Sequence, residues 1–317
     1  MNPVGYAAGL ATAVLWTVTS ICFEEAGRRM GSLALNIVRL FFALLLFVGL
    51  SLLLTGAPVS RGAGTEAWMY LSASGLVGFV LGDLLLFRAF VLIGSRLSML
   101  VYSSVPPITA LIGLAFLGET IRPLSLLGMA LTVAGIVLAV LGKPAAGAAG
   151  RGEQIPAGRR AAGILLAFGG SVGQAVGLIL GKRGSVGLGS FEATEIRAIA
   201  GLAGFLVLAA ATRRLRDVVK PFAVVLSRRT SQEPTERRRM GGAIAIAAVG
   251  SALGPFLGVS LGLLSTQLLS TGVASTLMAV VPVLIIPVAV IAFKERVGIL
   301  EIAGAILAVA GVAALAL

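Results

Sequence analysis

Ten blocks of about 20 apolar residues, separated by polar connections, constrain this 317-residue chain more than any other feature. They run Tyr6–Phe23, Leu33–Leu54, Trp68–Val91, Leu97–Leu117, Leu124–Leu141, Ala161–Leu180, Phe191–Ala211, Gly241–Leu263, Gly272–Phe293 and Val297–Leu317. Each is long enough to carry a helix across a hydrocarbon core of ~30 Å. Barrel strands would be half as long and would alternate in polarity, and these blocks do neither. The expected fold class is therefore an all-α membrane protein with ten transmembrane helices. The 42 glycines agree: each costs ~1 kcal/mol in a water-exposed helix interior, whereas between membrane helices it lets backbones approach closely. The chain starts Met1-Asn2-Pro3 without a basic stretch, so no cleaved signal peptide is expected and the first block is retained.

Composition narrows the function classes. The chain is 58 % hydrophobic and 12 % charged, with a mean hydropathy of +1.04. Soluble domains carry about 25 % charged residues. A water-soluble enzyme, a disordered chain and a nucleic-acid-binding domain are excluded despite the net charge of +12, because the basic residues lie mostly between apolar blocks, where an anionic membrane surface would meet them. Histidine is absent, which removes imidazole bases and histidine metal sites. The lone Cys22 forms neither an intrachain disulfide nor a cysteine cluster, and no metal or cofactor is expected.

Two connections are distinctive. Residues 143–160 are rich in Gly, Ala and Pro and read as a linker between a first unit, 1–142, and a second, 161–317. Thr212–Met240 holds nine Arg or Lys against three acids, and Leu215, Val218, Val219, Phe222, Val225 and Leu226 recur at helical spacing. That pattern fits an amphipathic helix on anionic headgroups, with Val218 and Phe222 turned to lipid. Pro221 interrupts it, and a solvated basic loop fits equally.

A shift of 176 residues lays the third to fifth blocks on the eighth to tenth: Gly78 on Gly254, Gly82 on Gly258, Val105-Pro106 on Val281-Pro282, Glu119 on Glu295, Gly128 on Gly304, and Val133-Ala134-Gly135 on Val309-Ala310-Gly311. With a gap, the stretch Ile37-Val38-Arg39 falls on Glu195-Ile196-Arg197. The repeat is five blocks, an odd number, so the second copy must enter the membrane from the opposite side. Inverted repeats with a site at their interface are a recurring plan of secondary transporters.

The segment Phe116-Leu117-Gly118-Glu119, continuing to Gly128 and Gly135, and its copy Phe293-Lys294-Glu295, continuing to Gly304 and Gly311, resemble the end-of-span signature of the drug/metabolite transporter superfamily, EamA type. The proline-bearing spans before them, with Ser104-Val105-Pro106-Pro107 and Val280-Val281-Pro282, are similar as well. The resemblance covers both halves. It implies two EamA-like five-helix repeats forming a carrier of small organic metabolites, often an exporter, working by alternating access. It further implies an integral protein of a prokaryotic plasma (inner) membrane, monomeric or homodimeric, whose partners are a small-molecule substrate and the lipid bilayer.

Individual residues have competing readings. Glu119 and Glu295, at the membrane edge, suit structural caps on the following helix. Asp83 lies about 12 Å inside its span, where a carboxylate must face a cavity or a partner. Arg39, Arg197 and, less well, Arg88 are its candidate partners, and its role is either a structural ion pair or transport. Arg39 and Arg197 hold matched places in the two copies, which suits gating or an ion pair; snorkelling to the surface fits them better. Pro106, Pro107, Pro282 and Pro287 free helix carbonyls and suit kinks or hinges around a cavity. Ser98, Tyr102 and Ser103, with Ser275, Thr276 and Met278 opposite, are the candidate lining, joined by Trp16, Ser20, Ser171 and Gln174. For each of these, ordinary helix packing is the competing reading. The first span lacks an interior acid, so the mid-helix glutamate of small multidrug proton antiporters in the same superfamily has no counterpart there.

Loops after odd-numbered blocks, counted with Arg88 near the end of the third block, hold nineteen basic residues and those after even-numbered blocks four. Positive-inside counting places both termini outside; the family resemblance implies the cytoplasm. A C-terminal reporter active on one side only separates the two. Against a carrier stand a membrane-embedded enzyme, which would need paired acids, histidines or a metal cluster, and an accessory membrane subunit without transport activity. A channel would need a ring of acids or a carbonyl-lined filter.

Overall fold

In an apolar run surrounded by lipid the backbone amides can bond only to one another, so each run closes into a helix. The computed structural model describes residues 2–59, 62–117, 123–141, 156–226, 234–269, 271–293 and 297–316, and among them every regular element is helical. In chain order these are α1 (Pro3–Met30), α2 (Ser32–Thr55), α3 (Thr65–Ser74), a π-helical segment π1 (Gly75–Asp83), α4 (Leu84–Ile93), α5 (Ser95–Tyr102), α6 (Val105–Leu117), α7 (Pro123–Leu141), α8 (Ala157–Gly184), α9 (Ser190–Ala211), α10 (Leu215–Leu226), α11 (Pro234–Ser251), a second π-helical segment π2 (Ala252–Gly258), α12 (Val259–Leu268), α13 (Thr271–Met278), α14 (Val281–Phe293) and α15 (Ile299–Ala316).

Among the described residues, six helical stretches are long and apolar enough to cross a membrane: Pro3–Met30, Ser32–Thr55, Thr65–Ile93, Ala157–Gly184, Ser190–Ala211 and Thr235–Leu268. Three shorter apolar stretches, Leu126–Leu141, Val273–Val288 and Ile299–Ala314, join them. The fourth and ninth apolar blocks are not single helices. The first breaks at Ser103–Ser104, between α5 and α6, and the second at Ala279–Val280, between α13 and α14. The two breaks are 176 residues apart and so occupy the same place in the repeat. Glu119 and Glu295, expected as caps, lie outside the described residues, as do 143–155 of the linker. The last linker residues, from Ala157, already belong to α8, and Arg160 donates from Nη2 to the Val140 carbonyl near the end of α7.

The repeat is visible as packing. The helices α7 and α15 run antiparallel in close contact. A Cβ on Gly135 would lie 2.6 Å from the Gly304 carbonyl oxygen, and one on Gly311 equally 2.6 Å from that of Gly128. Between these two points Thr132 Oγ1 comes within 3.4 Å of the carbonyl oxygen of Ala308, its own repeat counterpart. Elsewhere the halves interleave: α8 of the second packs on π1 and α4 of the first, and α1 of the first packs on α11, π2 and α12 of the second. At the α8–π1 crossing Gly82 and Gly78 face Gly173 and Gly177. A Cβ on Gly173 would stand 2.7 Å from the Gly82 Cα, so only glycine lets these backbones meet.

The basic connection folds as α10, and the helix runs through Pro221 instead of stopping there. Its inward face is Val218, Pro221 and Val224, packed against α2, α9 and α11. The expected lipid-facing pair is therefore corrected: Val218 is buried and Phe222 half-buried, because neighbouring helices compete with lipid for that side. Leu215, Val219 and Leu226 form the outward stripe instead.

Candidate functional site

Asn36 and Arg39 stand one turn apart on α2, so both point the same way. They meet Asp83, the last residue of π1. Arg39 donates from Nη2 to Asp83 Oδ2 and from Nε to Asn36 Oδ1 at 3.0 Å. Its guanidinium carbon lies 4.6 Å from the Phe87 ring centre, 5.6 Å from Phe79 and 5.8 Å from Phe23. Both partners of the ion pair are buried. A charge pair so far from water needs hydrogen bonds and aromatic faces to offset its desolvation, and this one has both. Snorkelling is thereby excluded for Arg39, because three rings from α1, π1 and α4 enclose its head. Arg88, the third candidate partner, is exposed on α4.

Arg197 on α9, the counterpart of Arg39, is also buried, at 1 % exposure, and does not snorkel. Its guanidinium carbon lies 5.0 Å from the centre of the same Phe79 ring. Its Nε and Nη2 make no hydrogen bond among the described residues. Asp83 lies within electrostatic reach of both arginines and, among the described residues, pairs with Arg39.

One cavity adjoins this cluster and shares part of its wall with a second. The first, of about 60 Å³, is lined by Arg39 and Asp83, by Trp16 and Ser20 of α1, by Phe23, Phe87 and Phe90, and by Tyr102 and Gln174. The other, of about 30 Å³, is lined by Ser103, Pro106, Ser275, Met278 and Pro282 around the two helix breaks. Trp16, Met99, Tyr102 and Gln174 line both and so stand between them. Trp16 and Tyr102 meet edge to face, 6.4 Å between ring centres.

Of the residues expected to line a cavity, Trp16, Ser20, Asp83, Tyr102, Ser103, Gln174, Ser275 and Met278 border one of these two. Ser98 and Thr276 do not: Ser98 Oγ donates back to the Gly94 carbonyl at 2.7 Å, and Thr276 Oγ1 to the Val312 carbonyl of α15 at 3.0 Å. Ser171 is likewise spent on helix carbonyls. The hydroxyls of Ser20 and Ser103 also bond back, to the carbonyls of Thr17 at 2.9 Å and Leu100 at 2.6 Å. Pro106, Pro107 and Pro282 stand in the first turn after a break, where the missing N–H is least costly, whereas α14 runs through Pro287 unbroken.

Sequence reasoning missed Asn36, the aromatic cage of Phe23, Phe79 and Phe87, Pro255 in π2, and both π segments. Asn36 was accessible, since a polar residue one turn before a buried arginine is rare in an apolar span. Glu24 was also missed: its carboxylate accepts from the Ser95 N–H at 2.6 Å at the start of α5 while pairing with Arg28 at 2.8 Å.

Comparison with known proteins completes the picture. A solved crystal structure superposes with a TM-score of 0.62 at 19 % identity, over 99 % of this chain and 96 % of that one, and so shares its fold. No curated protein matches the sequence. The pattern of the EamA-like transporter family matches twice, at residues 3–141 and 161–317, one match for each half of the interleaved bundle. With both halves matched, this integral membrane protein belongs to the EamA-like transporter family.

Proposed function

We propose that the chain is a secondary carrier that exports a small polar or amphiphilic metabolite by alternating access. In this reading α5 with α6, and α13 with α14, each form one crossing, and the bundle has ten. The observation that carries it is the pair of matched helix breaks around the smaller of two adjacent cavities. Small-molecule sites usually span ~300–1,000 Å³, so cavities of about 60 and 30 Å³ belong to a closed conformation. A substrate enters only when the helices around Trp16 and Tyr102 part, and a broken helix bends at less cost than a continuous one. Serine and glutamine groups beside aromatic faces suit a molecule with both polar and apolar parts. The test is counterflow of a labelled metabolite panel in proteoliposomes. Saturable exchange stimulated from the far side is expected for at least one compound; chemical conversion would favour an enzyme, and an inert protein an accessory subunit.

The two arginines supply a switch. A carboxylate on π1 that leaves Arg39 for Arg197 as the halves move would give each conformation one ion pair and one unpaired guanidinium. Arg197→Met is then expected to slow exchange by about tenfold while raising the thermal midpoint, because an uncompensated buried charge is lost. An unchanged rate, or a lower midpoint, would remove Arg197 from the switch.

A further inference from the structure

A cavity of about 430 Å³ lies at the end of the bundle where α1 turns into α2, far larger than those at the centre. Its walls are the α1–α2 corner, α10 and the start of α11, and four cations reach it: Arg29, Arg214, Lys220 and Arg239. Arg29 is held by Glu25 at 2.5 Å. The side chains of Arg214, Lys220 and Arg239 form no ion pair or hydrogen bond among the described residues. Asp217 and Glu236 also line the cavity and leave an excess of positive charge. The start of α2 adds to it. Its N-cap, Gly31, supplies no side-chain cap, the first intrahelical bond there is that of the Leu35 N–H to the Gly31 carbonyl, and Ser32, Leu33 and Ala34 face the cavity. The first turn and positive end of a 24-residue helix thus border the same cavity as the exposed, unpaired cations.

We propose that this cavity binds a phosphate-type anion, supplied as the headgroup of an acidic phospholipid. Phosphate offers acceptor oxygens to guanidinium forks and first-turn N–H groups together. The lipid source follows from α10 itself: the helix that brings Arg214 and Lys220 to the cavity presents Leu215, Val219 and Leu226, 46 %, 59 % and 76 % exposed, on its other side. An amphipathic helix of this kind lies at the boundary of headgroups and chains, which brings acidic headgroups to the cations around it. A choline headgroup would bring a fixed positive charge into a positive cavity and is disfavoured. This inference stands independently of transport.

The experiment uses the full chain in nanodiscs of phosphatidylglycerol or phosphatidylcholine, with lipids retained after detergent extraction counted by native mass spectrometry. Wild type is expected to retain phosphatidylglycerol selectively. The Arg214→Gln/Lys220→Gln/Arg239→Gln variant should lose roughly 100-fold in that preference, at about fivefold per basic group. A control of equal charge loss, Arg213→Gln/Arg216→Gln/Arg238→Gln, removes cations that do not line the cavity and should keep it. If the first variant fails to fold, Asp217→Asn/Glu236→Gln provides the opposite sign, with stronger retention expected. Equal retention of both lipids, or equal losses in cavity and control variants, overturns the site. Release of phosphatidylglycerol by millimolar inorganic phosphate overturns the lipid source and leaves a soluble anion as the ligand.

Discussion

Asp83→Asn is expected to abolish transport while the chain still inserts and runs as a single species. The substitution keeps the shape and one acceptor oxygen, so Arg39 Nη2 retains a partner and Asn36 still holds Nε. What disappears is the negative charge, and with it any reason for π1 to prefer one arginine over the other. Removing one charge of a buried, hydrogen-bonded pair typically costs ~2–5 kcal/mol. Applied to the moving state, that is a loss of roughly 100-fold or more in exchange rate. The measurement is counterflow at matched protein density, with size-exclusion profiles as the folding control. Wild-type exchange in this variant would take Asp83 out of the mechanism and leave the Arg39 pair as a structural clamp.

Gly135→Leu is expected to prevent assembly altogether. Its Cβ alone would sit 2.6 Å from the Gly304 carbonyl oxygen and 2.8 Å from the Ala308 Cα, and these are backbone atoms that cannot rotate aside. The α7–α15 pair would have to separate, and Gly304 and Gly311 would lose their close partners in the same step. In lipid, such packing is what holds helices together, since there is no hydrophobic gain from pairing. Gly49→Leu is the contrast: nothing lies within 4 Å of its Cβ position, so the substitution should be neutral or slightly stabilising. Detergent-solubilised yield and monodispersity read both, and a monodisperse Gly135→Leu protein would refute the packing argument.

The arrangement of apolar blocks was legible because lipid leaves an uncharged run one option, and the repeat was legible because Gly78, Gly82, Gly128 and Gly135 recur with their spacing intact. Where helices stop was less so. The Ser103–Ser104 break sits inside an unbroken apolar block, and only Pro106 and Pro107 hinted at it. The π segments leave no trace in composition, since a wider turn uses the same residues as an α turn. Arg39 was misread toward the surface for a specific reason: the cage around it comes from Phe23, Phe79 and Phe87, none of them on its own helix. Ser98 and Thr276 failed as lining residues because a hydroxyl one or two turns from a break points inward or sideways depending on where the break falls. On α10 the periodicity was right and the face wrong, since periodicity cannot say which stripe a neighbouring helix will claim.

The contact of Thr132 with Ala308 has a consequence for how such a molecule is put together. A residue that touches its own counterpart marks the point where a rotation axis pierces an interface, as at the centre of a symmetric homodimer. Formally, the protein is a dimer of its two matched halves joined end to end, and the join raises the local concentration of each half to the millimolar range without adding a contact. Covalent fusion also frees the two halves to diverge: the position that holds Asp83 in the first holds Val259 in the second, a charge in one copy and a methyl-bearing side chain in the other, which no pair of identical chains could achieve.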